Sequence, residues 1–264
     1  MRIVHIVRNS CVYDTRVIKE AEALAKYGHD VFVLCTTGKS DSDRSAEANG
    51  VKYIRINSVG VDSLYFETMS NPKAIRLEWS EAKQRELRKK QTDEFIIIKT
   101  KIQLLNKLGR LFQKRINHAK SWLKDKYGDF LSTKSFNTLA SGIALFGPTL
   151  LRLSPDVVHV HDLVNAPVAL RYCEISGAET VYDAHECEMH RNAPQLNKDD
   201  WTLLEKVETD IVKQCSFLIT VSESIVQFYN QKYGKCPILI CNSPDLDSTI
   251  ETKNSVLEKC GLSD

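Results

Sequence analysis

Short apolar runs rich in β-branched residues recur along the chain, at residues 3–7, 31–35, 51–56, 157–161, 180–183, 217–221 and 238–241. Within each run the apolar character is continuous rather than alternating, as in strands covered on both faces of a parallel sheet. Amphipathic stretches lie between them. The β-α-β-α order predicts an α/β fold, a Rossmann-like, doubly wound and mostly parallel sheet of about seven strands.

The first crossover shows the pattern most plainly. Asp14 is a suitable N-cap, Val17, Ile18, Ala21, Leu24 and Ala25 make one apolar helical stripe, and Gly28 ends the helix at C′. Residues 36–50 read as a polar loop. Residues 62–134 contain no convincing strand and predict a helical insertion in the sheet. Residues 135–151 carry no charge but include Asn137, Gly142, Gly147 and Pro148, and fall short of the ~20 strongly apolar residues a membrane span requires. They predict a buried helix leading into the Asp156 strand. Ser222 fits the N-cap of a helix that Gly234 ends. The expected organisation is a sheet domain over 1–245, with 246–264 a linker helix.

Composition narrows the classes. Thirty-six basic against 34 acidic residues give +2, so overall charge predicts no nucleic-acid partner. Eight cysteines include no C-x-x-C pair and read as small buried hydrophobes in a reducing cytoplasm. Met1-Arg2 leads directly into an apolar strand, which predicts no signal peptide. No G-x-G-x-x-G, P-loop or nucleophile-elbow pattern occurs.

Two segments end strands in titratable groups: Asp156-Val-Val-His159-Val-His161-Asp162 and Glu179-Thr-Val-Tyr-Asp183-Ala-His185-Glu186. Ligands of open α/β sheets bind at the carboxyl ends of the strands, so these residues are aimed at a cleft. His159 and His161 share one strand face. His159 reads as a buried histidine bonded to backbone. His185 stands among Asp183, Glu186, Glu188, His190 and Arg191. Arg16 opens a helix, where a cation opposes the macrodipole. It either meets an anionic group in the cleft or pairs with Asp14 or with Glu20 at i+4. Lys99 to Lys126 is a basic amphipathic stretch, including Lys107, Arg110, Lys114 and Arg115, with apolar residues at helical spacing. It fits an anionic membrane surface or a helix packed on the sheet with a solvated basic face.

Taken in order, these motifs resemble those of a known family. Asp14-Thr-Arg16-Val17-x-Lys19-Glu20-Ala21, the His161-Asp162 segment, Val181-Tyr-Asp-Ala-His185-Glu186, Ile219-Thr-Val-Ser222-Glu223-Ser224 and Pro237-Ile-x-x-x-Asn242 resemble retaining glycosyltransferases of the GT-B fold, family 4 type. The resemblance implies one half of that fold, the N-terminal acceptor domain. It implies sugar transfer from a nucleotide-sugar co-substrate, without a metal or resident cofactor. The acceptor is a glycan, lipid-linked in many members, at the inner membrane face, in surface or capsular polysaccharide synthesis. By resemblance His185 and Glu186 face the reaction centre, and Asp14, Arg16, His161, Asp162, Ser222 and Asn242 bind substrate. The loop Arg8-Asn-Ser-Cys-Val-Tyr-Asp14 lacks the glycine pair of many members. The donor-binding second domain is expected as a separate partner, and this chain alone is expected to be inactive.

Two rivals remain: a non-catalytic module that docks a partner or the membrane, and a metal-assisted hydrolase using His161, Asp162 and His185. The sugar-transfer reading requires Arg16, His161 and His185 to converge on one rim of one sheet.

Overall fold

A computed structural model describes residues 1–37, 45–56, 94–188, 190 and 196–243; the side chains of 45–46 and 94–108 fall outside that description. In chain order the elements are β1 (Arg2–Ile6), α1 (Thr15–Lys26), β2 (Asp30–Thr36), β3 (Ser45–Ala48), β4 (Val51–Ile56), α2 (Glu94–Tyr127), α3 (Lys134–Leu153), β5 (Val157–His161), a 3₁₀ turn (Leu163–Asn165), α4 (Ala166–Ser176), β6 (Glu179–Ala184), α5 (Lys198–Gln214), β7 (Phe217–Thr220), α6 (Glu223–Tyr233) and β8 (Ile238–Leu239). The sheet has eight strands in the order β3-β4-β2-β1-β5-β6-β7-β8, all parallel except β3.

The extra strand corrects the expectation of about seven. It lies inside the segment read as a polar loop and pairs antiparallel with β4, Ala48 opposite Val51. Asn49 and Gly50 both take positive φ, 52° and 78°, as a two-residue type I′ hairpin requires. Ser-Ala-Glu-Ala is too polar to signal a buried strand, but Asn-Gly is a strong hairpin signal.

The two faces of the sheet differ in chemistry. Even-numbered residues of the central strands (Val4, Ile6, Phe32, Leu34, Val158, Val160, Tyr182 and Ala184) build the larger core with α2 to α6. Odd-numbered residues face α1. Towards β2 and β4 that face is apolar: Val31, Val33, Cys35, Val51 and Tyr53 pack on Val17 and Ala21 of the α1 stripe. Towards β5 and β6 it is polar, because the parallel register sets His5 beside His159 and His161 beside Asp183.

α1 forms as its caps predict. Asp14 accepts a hydrogen bond from the Val17 N–H at 3.4 Å, and Gly28 leaves the helix at φ +86°. α3 realises the uncharged helix, capped by Thr133. Residues 62–93 of the expected insertion and the linker helix at 246–264 lie outside the described residues. Among the described cysteines none forms a disulfide. Cys11, Cys35 and Cys215 are buried, whereas Cys236 and Cys241 are exposed on the short edge strand's flanks rather than in the core.

Candidate functional site

β1 is the point at which the strand order reverses, since β2 lies on one side of it and β5 on the other. Ligand crevices of open α/β sheets form there, outside the carboxyl ends of the strands. Four histidines and the carboxylates of Glu20, Asp162 and Asp183 collect at this edge.

Asp183, the last odd residue of β6, is the hub. Arg16 of α1 donates to both of its oxygens, Nε to Oδ2 and Nη2 to Oδ1, each at 2.8 Å, a bidentate pair with 6% and 0% of the two side chains exposed. Oδ2 also lies 2.9 Å from His185 Nε2 and 3.3 Å from His161 Nδ1. His161 Nε2 in turn lies 3.0 Å from His5 Nδ1. Arg16, His161 and His185, 169 residues apart at the extremes (185 − 16), therefore meet through one carboxylate. Burial alone raises the pKa of Asp183, but the bonds from His161, His185 and Arg16 outweigh it and hold the carboxyl far below the usual carboxylate range.

Arg16 is spent inside the protein. Besides Asp183 it donates Nη1 to the Ile240 carbonyl at 2.6 Å, and Nη2 lies 3.1 Å from Glu20 Oε1. The i+4 partner is present as the sequence allows, but the principal partner is Asp183, which the one-dimensional pattern could not show. The fork meets these groups rather than standing open to a cleft anion. Lys19, one turn on, donates to the Ser243 carbonyl at 2.9 Å. α1 thus clamps the segment that follows β8.

The rim is less buried. His185 is 20% exposed, and its Nδ1 lies 3.8 Å from Asp162 Oδ1. Burial lowers the His185 pKa, but Asp183 and Asp162 outweigh it and the imidazole is raised above its ordinary value. Burial lowers the pKa of His161 despite Asp183. Asp162 is 38% exposed at its side chain, and burial raises its carboxyl. Its backbone stands at φ 63°, ψ 150°, a region nearly reserved for glycine, held by its N–H to the Asp183 carbonyl at 3.2 Å.

The other expected residues are placed as follows. Asp14 is the α1 cap, and Asn9 Nδ2 donates to it at 2.7 Å. Glu186 is exposed beside His185. Ser222 caps α6 by position only, and its hydroxyl lies 3.0 Å from that of Ser224. Asn242 is exposed beyond β8. Arg110, Lys114 and Arg115 of α2 are exposed, while the Lys107 side chain lies outside the described residues. On the same helix Ala119, Leu123 and Tyr127 are buried in the main core, so its C-terminal apolar stripe is spent on packing. Lys126 pairs with Glu174 and Asp210, and Lys124 with Asp129. Among the described residues no helix is long and apolar enough to cross a membrane.

His159, read as a backbone-bonded histidine, is buried, but its Nε2 has no hydrogen-bond partner among the described residues and lies 3.7 Å from Glu20 Oε2. His5 escaped sequence reading altogether. Its signal was a histidine inside the apolar run of a central strand. Of the strand-end carboxylates that could serve a metal, Asp183 rather than Asp162 groups with His161 and His185.

Neither a protein-family model nor a curated protein sequence matches the chain. Solved structures do. A sucrose-phosphate synthase from Thermosynechococcus elongatus superposes over 91% of this chain with a TM-score of 0.52 at 12% identity. The chain has the fold of one half of a GT-B glycosyltransferase. It spans 47% of that synthase, about half its length. A shorter sucrose-phosphate synthase chain from the same organism matches over 99% of this chain and 96% of its own length, with a TM-score of 0.50 at 11% identity. At such identities the likeness establishes the GT-B half as architecture.

Proposed function

We propose that this chain is the acceptor-binding half of a retaining glycosyltransferase, moving a sugar from a nucleotide-sugar to a glycan acceptor. The acceptor in this proposal is lipid-linked and belongs to surface or capsular polysaccharide synthesis at the inner face of the plasma membrane. The observation that carries the reading is the partly exposed His185, locked by the buried Asp183–Arg16 pair at the switch point of a GT-B half.

Each group has a defined task. His185 presents a raised, donor-bearing imidazole to a sugar hydroxyl or to charge developing at the reaction centre, and Glu186 stands beside it. Asp162 accepts from acceptor hydroxyls. Asp183 and Arg16 are positioning residues that fix the His185 ring without touching sugar. Catalysis by such a site is orientation and electrostatics in a closed cleft, which needs the donor-binding half. No resident cofactor is required. The exposed Arg110, Lys114 and Arg115 give α2 an electrostatic face for anionic lipid.

Calorimetric titration of the purified chain with a panel of lipid-linked and free glycans, and separately with nucleotide-sugars, tests this. A glycan is expected to bind, His185→Ala to weaken it about tenfold or more, the size of one lost charge-assisted hydrogen bond, and no nucleotide-sugar to be turned over. Turnover of a nucleotide-sugar by the chain alone, or binding of nucleotide-sugars with no glycan bound, would refute the proposal.

A further inference from the structure

Beneath α1, away from the rim, lies a second group of donors that the sugar-transfer reading does not use. His5 Nε2, His159 Nε2 and both Glu20 carboxylate oxygens are buried without a hydrogen-bond partner among the described residues. Glu20 Oε1 lies 3.1 Å from Arg16 Nη2. One ligand atom from each of His5, Glu20, His159 and His161 lies within 4.8 Å of the others. A buried polar atom without a partner costs about 1–3 kcal/mol. Three residues that carry such atoms, His5, Glu20 and His159, stand in one group, a costly arrangement unless something sits between them.

We infer that His5, His159 and Glu20 bind a divalent transition-metal ion of the zinc class between β1, β5 and α1. Two imidazoles and one carboxylate are a donor set that zinc accepts, with the fourth position left to water. The His159 Nε2–Glu20 Oε2 separation of 3.7 Å is close to the ligand–ligand edge of about 3.3 Å that zinc bond lengths of ~2.0–2.1 Å impose.

The hydrogen-bond chain prepares the ligand. His161 Nδ1 lies 3.1 Å from His185 Nε2 and 3.3 Å from Asp183 Oδ2; with the proton on Nδ1 directed at that carboxylate, His161 Nε2 is an acceptor. His161 Nε2 then accepts from His5 Nδ1–H at 3.0 Å, which leaves a lone pair on the buried His5 Nε2. A carboxylate that orients a ligating histidine through its second nitrogen is the usual outer shell of a metal site. Here the relay has one more imidazole. The alternative grouping, His161–Asp183–His185, excludes this one: a metal on His161 Nδ1 forces the proton to Nε2, makes His5 Nδ1 the acceptor and puts a hydrogen on His5 Nε2. The two arrangements are distinguishable by experiment, and the inference does not depend on the sugar-transfer reading.

The test uses the untagged full chain purified without chelator. Elemental analysis is expected to find about one zinc-class ion per chain. Chelator-stripped protein titrated with Co²⁺ is expected to develop visible ligand-field bands without a thiolate charge-transfer band. Saturating Zn²⁺ is expected to raise Tm by about 5 °C or more, as binding at a hundredfold excess over Kd does for a domain of this size. Glu20→Gln and His159→Gln are each expected to weaken Co²⁺ binding about tenfold or more, whereas His185→Ala is expected to leave it intact. Wild-type protein that binds no ion, and whose Tm ignores Zn²⁺, overturns the inference. So does a thiolate band, which assigns the ion to cysteine, or loss of binding in His185→Ala alone, which assigns it to the rim. Should either ligand variant misfold, the wild-type stoichiometry and spectrum still decide.

Discussion

Replacing Asp183 by Asn keeps the shape of the hub and removes its charge. The carboxylate is fully buried and faces Arg16 through two 2.8 Å bonds, with His161 and His185 as further donors. Breaking a buried pair from one side costs about 3–5 kcal/mol, because the remaining charge is left uncompensated. Glu20, 3.1 Å from Arg16, offsets part of that loss, so about 3 kcal/mol is expected. Against a typical total of about 5–15 kcal/mol this is a large fraction. Tm should fall by about 6–12 °C. Urea and thermal unfolding followed by circular dichroism give both numbers. The acid limb provides an independent check. Asp183 is depressed in the folded state, so its contribution is fully present above the unfolded value of about 3.9 and is lost as pH falls below it. The wild type should weaken below about pH 4 more steeply than Asp183→Asn. Arg16→Met combined with Asp183→Asn should cost less than the two single losses added, by about 1 kcal/mol or more. A loss under about 1 kcal/mol at neutral pH, or identical acid limbs, would show that the buried pair does not hold the site together.

Three further outcomes follow from the same geometry. His185 is raised in the folded state, so its stabilising share is fully present below about pH 6.5 and fades as pH rises through the folded value; His185→Asn should flatten stability over that window, and equal pH profiles would contradict it. Asp162→Gly relieves a backbone strain of about 1–3 kcal/mol at a small entropic cost, so denaturation should show equal or greater stability while glycan binding weakens; a clear loss of stability would mean that the conformation is not strained. Charge reversal of Arg110, Lys114 and Arg115 should reduce flotation with anionic liposomes about a hundredfold or more, at about 1 kcal/mol per basic residue, and unchanged flotation would remove the membrane face.

The alternation of apolar runs and amphipathic stretches is a local property, and it was enough for the architecture. Each strand needs both faces covered, and each helix one face, whatever partner supplies the cover. The α1 caps, the uncharged α3 and the clustering of titratable groups at strand ends were legible for the same reason. The β3 hairpin was obscured because an edge strand carries little hydrophobic signal, although Asn49-Gly50 marked its turn.

Pairing, in contrast, belongs to the register of strands far apart in the chain. That His5 lies beside His159, and His161 beside Asp183, follows from hydrogen-bond ladders joining β1, β5 and β6. Only those ladders, with α1 laid across them, turn Arg16 inward to Asp183, leave His185 at the rim, and bring Glu20 into one group with His5 and His159. The amino-acid order by itself determined which residues carry the chemistry and at which ends of which elements they stand. The tertiary structure decided which of them touch, because a charge's partner is set by distance in space and not by separation along the chain.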